Sequence, residues 1–257
     1  MKKKIIRLLA ALGLLVLLAI VVYAWLAFPI ITGYGAKNLA SAVYVQHRDP
    51  ATVIKEELSS LPFSLATYTV NPQDSSASGS IWGLALQKAI YRKGFGCTLI
   101  RNFTEQEVRQ QYFSPLLYPD SLKSKPWPYG EVVTDRVPAG VNKTVLQQAI
   151  NKAMHATGAN HKPAFTRAVV VVYNGQIVGE QYAPGFSKDV TMLGWSISKS
   201  LTAALIGILV KQGKLNAAAP APVPEWHGTH KQAITVTHLL QQTSGLDFTE
   251  NYSMPSS

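Results

Sequence analysis

The stretch that decides the fold of the C-terminal part of this chain is GWSISKSLTAALIGILVKQG, residues 194–213. From Leu201 to Val210 it is apolar on almost every side, and Gly213 follows as a residue type that ends helices. A helix without a polar face is normally enclosed by its own domain, and ten apolar residues fall short of the ~20 needed to span a bilayer. The pattern therefore predicts a buried helix that begins at Ser196.

Ser196 and Lys199 stand three residues apart at the start of this helix. Positions i and i+3 share a helix face with Cβ atoms ~5–6 Å apart, so the lysine amine can reach the serine hydroxyl. A serine becomes a good nucleophile when a neighbouring base takes its proton, and burial favours the neutral lysine that can act as that base. The structural alternative is a serine that caps the helix, followed by an unrelated lysine.

Two strand patterns precede this helix, and they are joined by Asn174 and Gly175. The first, residues 168–173, is a run of β-branched residues, and the second covers residues 176–182. Asn-Gly between two strand patterns is the strongest short-range hairpin signal, because a type I′ turn needs positive φ at both central residues. The first strand is apolar on both faces, which predicts a position inside a covered sheet.

The region before the hairpin gives weaker signals. Residues 141–156 read as an amphipathic helix capped by Asn142. Partial apolar/polar alternation predicts strands over residues 63–70 and 80–89, with loop residues between them at 71–76. Residues 114–140 hold five prolines, which favours a mostly irregular connector.

Three motifs in this order carry a resemblance to a known family. Residues 194–200 resemble the nucleophile motif of the β-lactamase-related serine hydrolases. This family includes class C β-lactamases, D-alanyl-D-alanine carboxypeptidases, certain esterases and 6-aminohexanoate-dimer hydrolases. Residues 213–215 resemble the G-x-L that ends the family's nucleophile helix, and residues 234–246 are similar to its I-T-x-x-H-L-L-x-x-T-S-G-L segment. The resemblance covers about residues 165–250.

The resemblance implies both a fold and a chemistry. The fold is α+β: residues 161–257 would be the front part of a β-lactamase-like serine hydrolase domain, an antiparallel sheet with packed helices. The reaction would be hydrolysis of a small-molecule ester or amide through an acyl-enzyme. Ser196 would be the acyl-accepting nucleophile and Lys199 its proton partner, with no metal or organic cofactor.

The chain also departs from the family pattern. Neither the Tyr-x-Asn or Ser-Asp-Asn motif nor the Lys-Thr-Gly motif follows Ser196, and Tyr252-Ser253-Met254 lacks the Asn. We therefore expect an incomplete hydrolase domain that is inactive and poorly folded by itself. The alternative is a catalytically dead, membrane-tethered binding module or a truncated gene product.

The N-terminus predicts a membrane anchor. Residues 8–31 carry no charged side chain, and these 24 residues make a helix of about 36 Å, enough for a ~30 Å hydrocarbon core. Lys2, Lys3, Lys4 and Arg7 precede them, so the positive-inside rule places the rest on the extracytoplasmic, periplasmic side. We expect a single-pass signal anchor in the cell membrane over residues 1–31, then a partly irregular extracytoplasmic region over 32–160. A cleaved signal peptide is the alternative, although its apolar core is normally only ~7–15 residues long.

Composition excludes several other functions. The net charge is +10, but beyond the N-terminus the basic residues are scattered and do not alternate with aromatics, which argues against nucleic-acid binding. Cys97 is the only cysteine, so an intrachain disulfide and a cysteine metal cluster are both excluded. We interpret it as a small buried residue, with a reactive thiol as the alternative. His227 and His230 are interpreted as surface residues of a loop rather than metal ligands.

Overall fold

The computed structural model describes residues 2–112, 120–133, 138–158 and 161–248. The chain divides into two compact units, residues 1–191 and residues 192–257, which are described separately below. This division differs from the expected one at residues 31 and 160, and those domain boundaries stay predictions.

The first unit begins with one long helix, α1, which runs without a break over Lys2–Tyr44. Its apolar side chains are exposed up to residue 26, and from Thr32 onward most of its positions are buried. Among the described helices, α1 is the one long and apolar enough to cross a membrane, a property that anchors share with N-terminal signal sequences. The expected end of the apolar segment at residue 31 therefore lies inside a helix that continues for three more turns.

A four-stranded antiparallel sheet follows, with its strands in sequence order. Its members are β1 (Thr67–Asn71), β2 (Ser76–Ile81), β3 (Leu84–Arg92) and β4 (Gly96–Leu99). The alternation pattern predicts β1 and β3 in part, and the predicted loop lies where β1 turns into β2. Strands β2 and β4 were not predicted, and in β2 the reason is that Ser76-Ala77-Ser78-Gly79-Ser80 lacks the branched and aromatic residues that identify strands.

The second half of α1 packs closely on this sheet because glycines remove side chains from the contact. A Cβ atom on Gly79 of β2 would lie 2.7 Å from the Thr32 carbonyl oxygen of α1, and one on Gly35 would lie 2.1 Å from the Tyr68 ring. Thr32 Oγ1 also lies 2.7 Å from the Ala85 carbonyl oxygen. Helix backbone and strand backbone are therefore nearly in contact.

The core of the first unit lies between α1 and this sheet. Its buried residues come from α1, the strands and the segment around α2 (Pro50–Glu57): Ala36, Leu39, Ala40, Ala42, Val53, Leu58, Tyr68, Ala77, Ala89 and Cys97. Burial raises the pKa of the Tyr68 hydroxyl to about 12 and also raises the pKa of the Cys97 thiol. Cys97 is thus a buried residue, as predicted, and not an activated thiol.

Ion pairs join the sheet to helix α3 (Glu105–Gln110), whose N-terminus carries a capping box formed by Thr104 and Glu107. Lys88 Nζ lies 2.7 Å from Asp74 Oδ2 and 2.8 Å from Glu105 Oε2. These hydrogen bonds hold the pKa values of both carboxyl groups below their ordinary range. Helix α4 (Asp120–Lys123) follows in the connector region.

The last part of the first unit is helix α5 (Lys143–Met154) and the hairpin of β5 (Ala168–Tyr173) and β6 (Gln176–Tyr182). The Asn142 side chain accepts from the Thr144 and Val145 amides, so the predicted cap is confirmed. Asn174 and Gly175 have φ values of 47° and 72°, as the predicted type I′ turn requires. The helix packs on β6 at Gly179, where a Cβ atom would lie 2.6 Å from Ile150 Cδ1.

The sequence predicts a covered sheet around this hairpin in a complete domain, and the described residues cover only one of its faces. In these residues the hairpin forms a two-stranded sheet, and Val170 and Val172 are nearly half exposed. The reason is that α5 packs against the hairpin and covers one face, while no other described helix of this unit makes a comparable contact with it.

The second unit contains helix α6 (Ile197–Lys211) and helix α7 (Val236–Leu240), with 3-10 turns at Pro224–Trp226 and His230–Ala233. The predicted helix start at Ser196 is confirmed, but the predicted burial is wrong. No residue of α6 is buried, and Leu201 and Leu205 are more than half exposed. The other described elements of this unit are too short to enclose a 15-residue helix.

We expect Gly79→Ala to destabilise the first unit. The added methyl group would meet a backbone carbonyl at 2.7 Å, and backbone cannot rotate away as a side chain can. Overpacking of this kind typically costs ~1–3 kcal/mol. Thermal unfolding of the detergent-solubilised chain, followed by circular dichroism, should show a lower midpoint. The matched control is Gly158→Ala, whose methyl group would meet only the Lys162 carbonyl, at 3.8 Å. An unchanged midpoint for Gly79→Ala would contradict the close approach.

We also expect the first unit to lose stability in acid. Asp74 and Glu105 have lowered pKa values in the folded chain, so they contribute stability above the ordinary carboxyl pKa of about 4. That contribution is lost as the pH falls through the lowered values. Lys88→Met should reduce the stability at neutral pH and flatten the decline towards about pH 3. Lys93→Met, on the exposed β3–β4 turn, is the control and should leave the profile unchanged.

Candidate active site

A tight turn places Ser196 at the N-terminus of α6. The Ile197 amide donates to the Gly194 carbonyl at 2.8 Å, and the Ser198 amide donates to the Trp195 carbonyl at 3.1 Å. Trp195 has a φ of 43°, in the left-handed region that a bulky side chain rarely adopts. Strained residues of this kind cluster at functional sites, where the surrounding structure imposes the conformation.

The turn brings Ser196 and Lys199 together. Lys199 Nζ donates to Ser196 Oγ at 3.0 Å, as the i, i+3 spacing predicts. Ser196 occupies the N-cap position, but its side chain makes no capping hydrogen bond. The structural alternative, a serine that serves as a helix cap, is therefore not the arrangement found. The neighbouring Ser198 hydroxyl donates instead to the Trp195 carbonyl at 2.8 Å, so the two serines have different partners.

The chemistry available to this pair depends on its surroundings. A lysine amine at hydrogen-bond distance can accept the serine proton when the amine is neutral. The Ser196 amide makes no hydrogen bond to any described residue, so it is open to a developing negative charge at the helix N-terminus. Both side chains are exposed, however, and no described residue removes them from water. The expected burial of the pair is thus absent from the described part of the chain.

The C-terminus of α6 is closed by Gly213. The Gly213 amide donates to the Val210 carbonyl at 3.0 Å, and the Lys214 amide donates to the Leu209 carbonyl at 2.9 Å. These two bonds form a Schellman motif, and the φ of Gly213 is 68°, as the motif requires. The predicted stop signal is confirmed, and it fixes the direction in which the chain leaves the helix.

Residues 234–246 have a mainly structural role. Thr235 and His238 form a capping box at the start of α7. Thr237 donates to the Ala217 carbonyl through both its amide and its hydroxyl, at 2.9 and 2.8 Å. The segment after Gly213 is therefore tied to α7. Since the His238 ring accepts the Thr235 amide, this histidine is occupied by the cap.

The other residues considered in the sequence analysis do not contribute to the site formed by Ser196 and Lys199. His227 and His230 lie in the segment of the 3-10 turns and do not belong to any group of metal-binding side chains among the described residues. Residues 252–254 lie outside the described residues. The role of Ser196 and Lys199 in catalysis stays a prediction.

The first unit also contains a charged cleft that was not predicted from the sequence. Its cavity has a volume of about 220 Å³ and includes Arg48, Glu56, Arg167 and Phe186 in its lining. Glu56 Oε2 lies 2.8 Å from Arg48 Nη2 and 2.5 Å from Arg167 Nη2. Arg167 is more than 100 positions from Arg48 and Glu56 in sequence, so no local pattern could have indicated that the three residues meet.

Comparison with known proteins agrees with the resemblance. The family model described as β-lactamase matches residues 146–256. A 6-aminohexanoate-dimer hydrolase of Paenarthrobacter ureafaciens is 32% identical over 94 residues, which are 36% of this chain and 24% of that protein. This chain therefore spans about a quarter of the relative's length. No solved structure matches at comparable significance.

Gly207 inside α6 and Gly213 just after it allow the helix geometry to be tested, because substitutions at the two positions should change its stability in opposite directions. Gly207 lies inside the helix with open space around it, so Gly207→Ala should stabilise the helix by ~0.5–1 kcal/mol. Gly213→Ala should destabilise it by ~1–2 kcal/mol, because an alanine is strained at this positive φ. Hydrogen exchange of the α6 amides, measured by mass spectrometry, should slow in the first variant and accelerate in the second. Equal rates in the two variants would contradict the Schellman ending.

Proposed function

We propose that this chain, whose residues 146–256 match the β-lactamase family model, carries the nucleophile of a serine hydrolase that cleaves an ester or amide through an acyl-enzyme. The observation that supports this most directly is the 3.0 Å contact between Lys199 Nζ and Ser196 Oγ. The name of the matched relative makes the 6-aminohexanoate dimer one substrate to test, beside a short-chain ester.

The proposed reaction has two steps. In the first, the neutral Lys199 amine takes the Ser196 proton while the serine oxygen attacks the substrate carbonyl, and the Ser196 amide donates to the oxyanion. The leaving group then departs with the proton returned by Lys199, and the acyl group stays on Ser196. In the second step, Lys199 takes a proton from a water molecule as the water oxygen attacks the acyl carbonyl. The bond between that carbon and Ser196 Oγ then breaks, the acid is released, and Lys199 returns the proton to the serine oxygen.

We propose that α1 anchors this hydrolase in the cell membrane, with the rest of the chain on the extracytoplasmic side. Lys3, Lys4 and Arg7 lie on one side of the apolar segment, and basic residues are retained on the cytoplasmic side of membrane helices. Membrane and substrate would be its partners in this location, and no cofactor takes part in the proposed steps.

The test is labelling with a fluorophosphonate, which reacts with activated serines, on the protein expressed from its own gene in its own membranes. We expect the label on the peptide that contains Ser196. Ser196→Ala should abolish labelling, and Lys199→Met should slow it by ~10²–10⁴, the usual contribution of a general base. Ser198→Ala is the matched control and should label normally, because the Ser198 hydroxyl bonds the Trp195 carbonyl and not Lys199.

A different observation favours a second candidate function, a catalytically inactive, membrane-tethered binding module. Ser196 and Lys199 are exposed, and water around the pair weakens the electrostatic stabilisation that a hydrolase site supplies. The same experiment decides between the two functions. Absence of labelling, or labelling that persists in Ser196→Ala, would contradict the hydrolase proposal, and the former result would support the binding module.

A further inference from the structure

The tip of the β2–β3 hairpin carries large apolar side chains that the described chain leaves exposed. Trp82 is 80% exposed, Leu84 61% and Leu86 66%. Residues 75–87 contain no charged side chain. Exposing an apolar, uncharged tip to water is unfavourable, and such a tip is typical of a site that binds a protein or a membrane.

The backbone at this tip is unusual for the residue that it carries. Trp82 has a φ of 50° and Gly83 a φ of 78°, so both central residues of the two-residue turn lie in the left-handed region. Such turns favour Asn, Asp or Gly at the first position, and a bulky residue is strained there. The fold therefore holds a tryptophan in an unfavourable conformation at a place where it fills no core.

Contacts with α1 define where this tip lies along the helix. The Trp82 ring contacts the Phe28 ring edge-to-face, with centroids 5.9 Å apart. One turn further along the helix, Thr32 Oγ1 lies 2.7 Å from the Ala85 carbonyl oxygen. The tip is thus level with the last turn of the uncharged segment of residues 8–31, where exposed apolar helix gives way to helix packed on the sheet.

We propose that the tip formed by Trp82, Leu84 and Leu86 inserts into the lipid–water interface of the bilayer that α1 spans. This rests on the proposed membrane anchor and goes beyond the hydrolase function. A lipid interface fits best because the tip is continuous with the apolar surface of α1, through the contact between Phe28 and Trp82. Tryptophan is the residue that settles at the headgroup level of membranes. The sheet would then have two attachments to one bilayer, a spanning helix and a hairpin tip.

The test places a fluorophore at single cysteines of the full chain in phosphatidylcholine vesicles that contain a headgroup-level nitroxide quencher. Leu84→Cys reports on the tip and keeps Trp82. Gln73→Cys, in the β1–β2 turn at the opposite end of the same sheet, is the matched control. Leu15→Cys reports on α1 in the bilayer, with a quencher placed deeper in the acyl chains. The unsubstituted chain is the labelling blank, because Cys97 is buried.

We expect blue-shifted emission and strong quenching at position 84, and neither effect at position 73. Adding Trp82→Asn should reduce the quenching at position 84 to the level at position 73. The fold should survive this change, because asparagine suits the left-handed conformation. An unchanged midpoint of thermal unfolding in that variant would show that Trp82 acts in membrane contact and not in stabilising the fold.

Each other outcome would contradict the proposed insertion of the tip into the interface. If the label at position 15 is quenched and the label at position 84 behaves like the one at position 73, the anchor stands and the tip does not insert. If the label at position 15 is not quenched, α1 does not span the bilayer, and the proposed insertion of the tip is contradicted as well. If the emission at position 84 is blue-shifted without quenching and depends on protein concentration, a second copy of the chain covers the tip. None of these outcomes bears on the labelling of Ser196, so the hydrolase proposal is tested independently.

Discussion

The close approach between the α1 backbone and β2 is the constraint on which the first unit depends. It requires a residue without a side chain at Gly79, opposite the Thr32 carbonyl, and another at Gly35, beneath the Tyr68 ring. Once the two backbones are that close, the alanines of α1 are large enough to fill the remaining space, and the buried core can be built from small residues. The helix must then continue past the apolar segment, because the sheet has no other long helix among the described residues to cover it.

The candidate active site shows how local and tertiary contributions separate. The contact between Ser196 and Lys199 follows from helix geometry alone, since both residues belong to one turn. The reactivity of such a pair depends on a dry and preorganised environment, which one helix cannot supply. In the described residues the geometry is present and that environment is absent. A motif in the sequence can therefore indicate a candidate nucleophile without showing how that residue would be activated.

The same separation explains what could be predicted from sequence. The Asn174-Gly175 turn, the Asn142 cap and the Gly213 stop are each fixed by a few adjacent residues, and each was predicted correctly. Strand β2 was missed because its small residues suit a nearby helix backbone, which no local pattern reveals. The continuation of α1 was missed because the predicted segment ends with its apolar run at residue 31, and Gly33 and Gly35 are poor helix formers until β-strand side chains pack against them. At the candidate site, the left-handed backbone of Trp195 and the exposure of the pair were likewise outside the reach of spacing arguments.

Because α1 is continuous, the rotation of its N-terminal part about the helix axis is fixed relative to the part that packs on the sheet. One continuous helix presents Phe28 to the hairpin tip and Thr32 to β3, so its exposed apolar part and its sheet-facing part cannot turn independently. Inserting one residue between the two parts would rotate the upstream helix by about 100° relative to the sheet. Inserting seven residues would nearly restore the original rotation and would move the sheet about 10 Å further along the helix axis. An insertion or deletion in this segment therefore changes both the rotation of the upstream helix about its axis and the distance of the sheet from it.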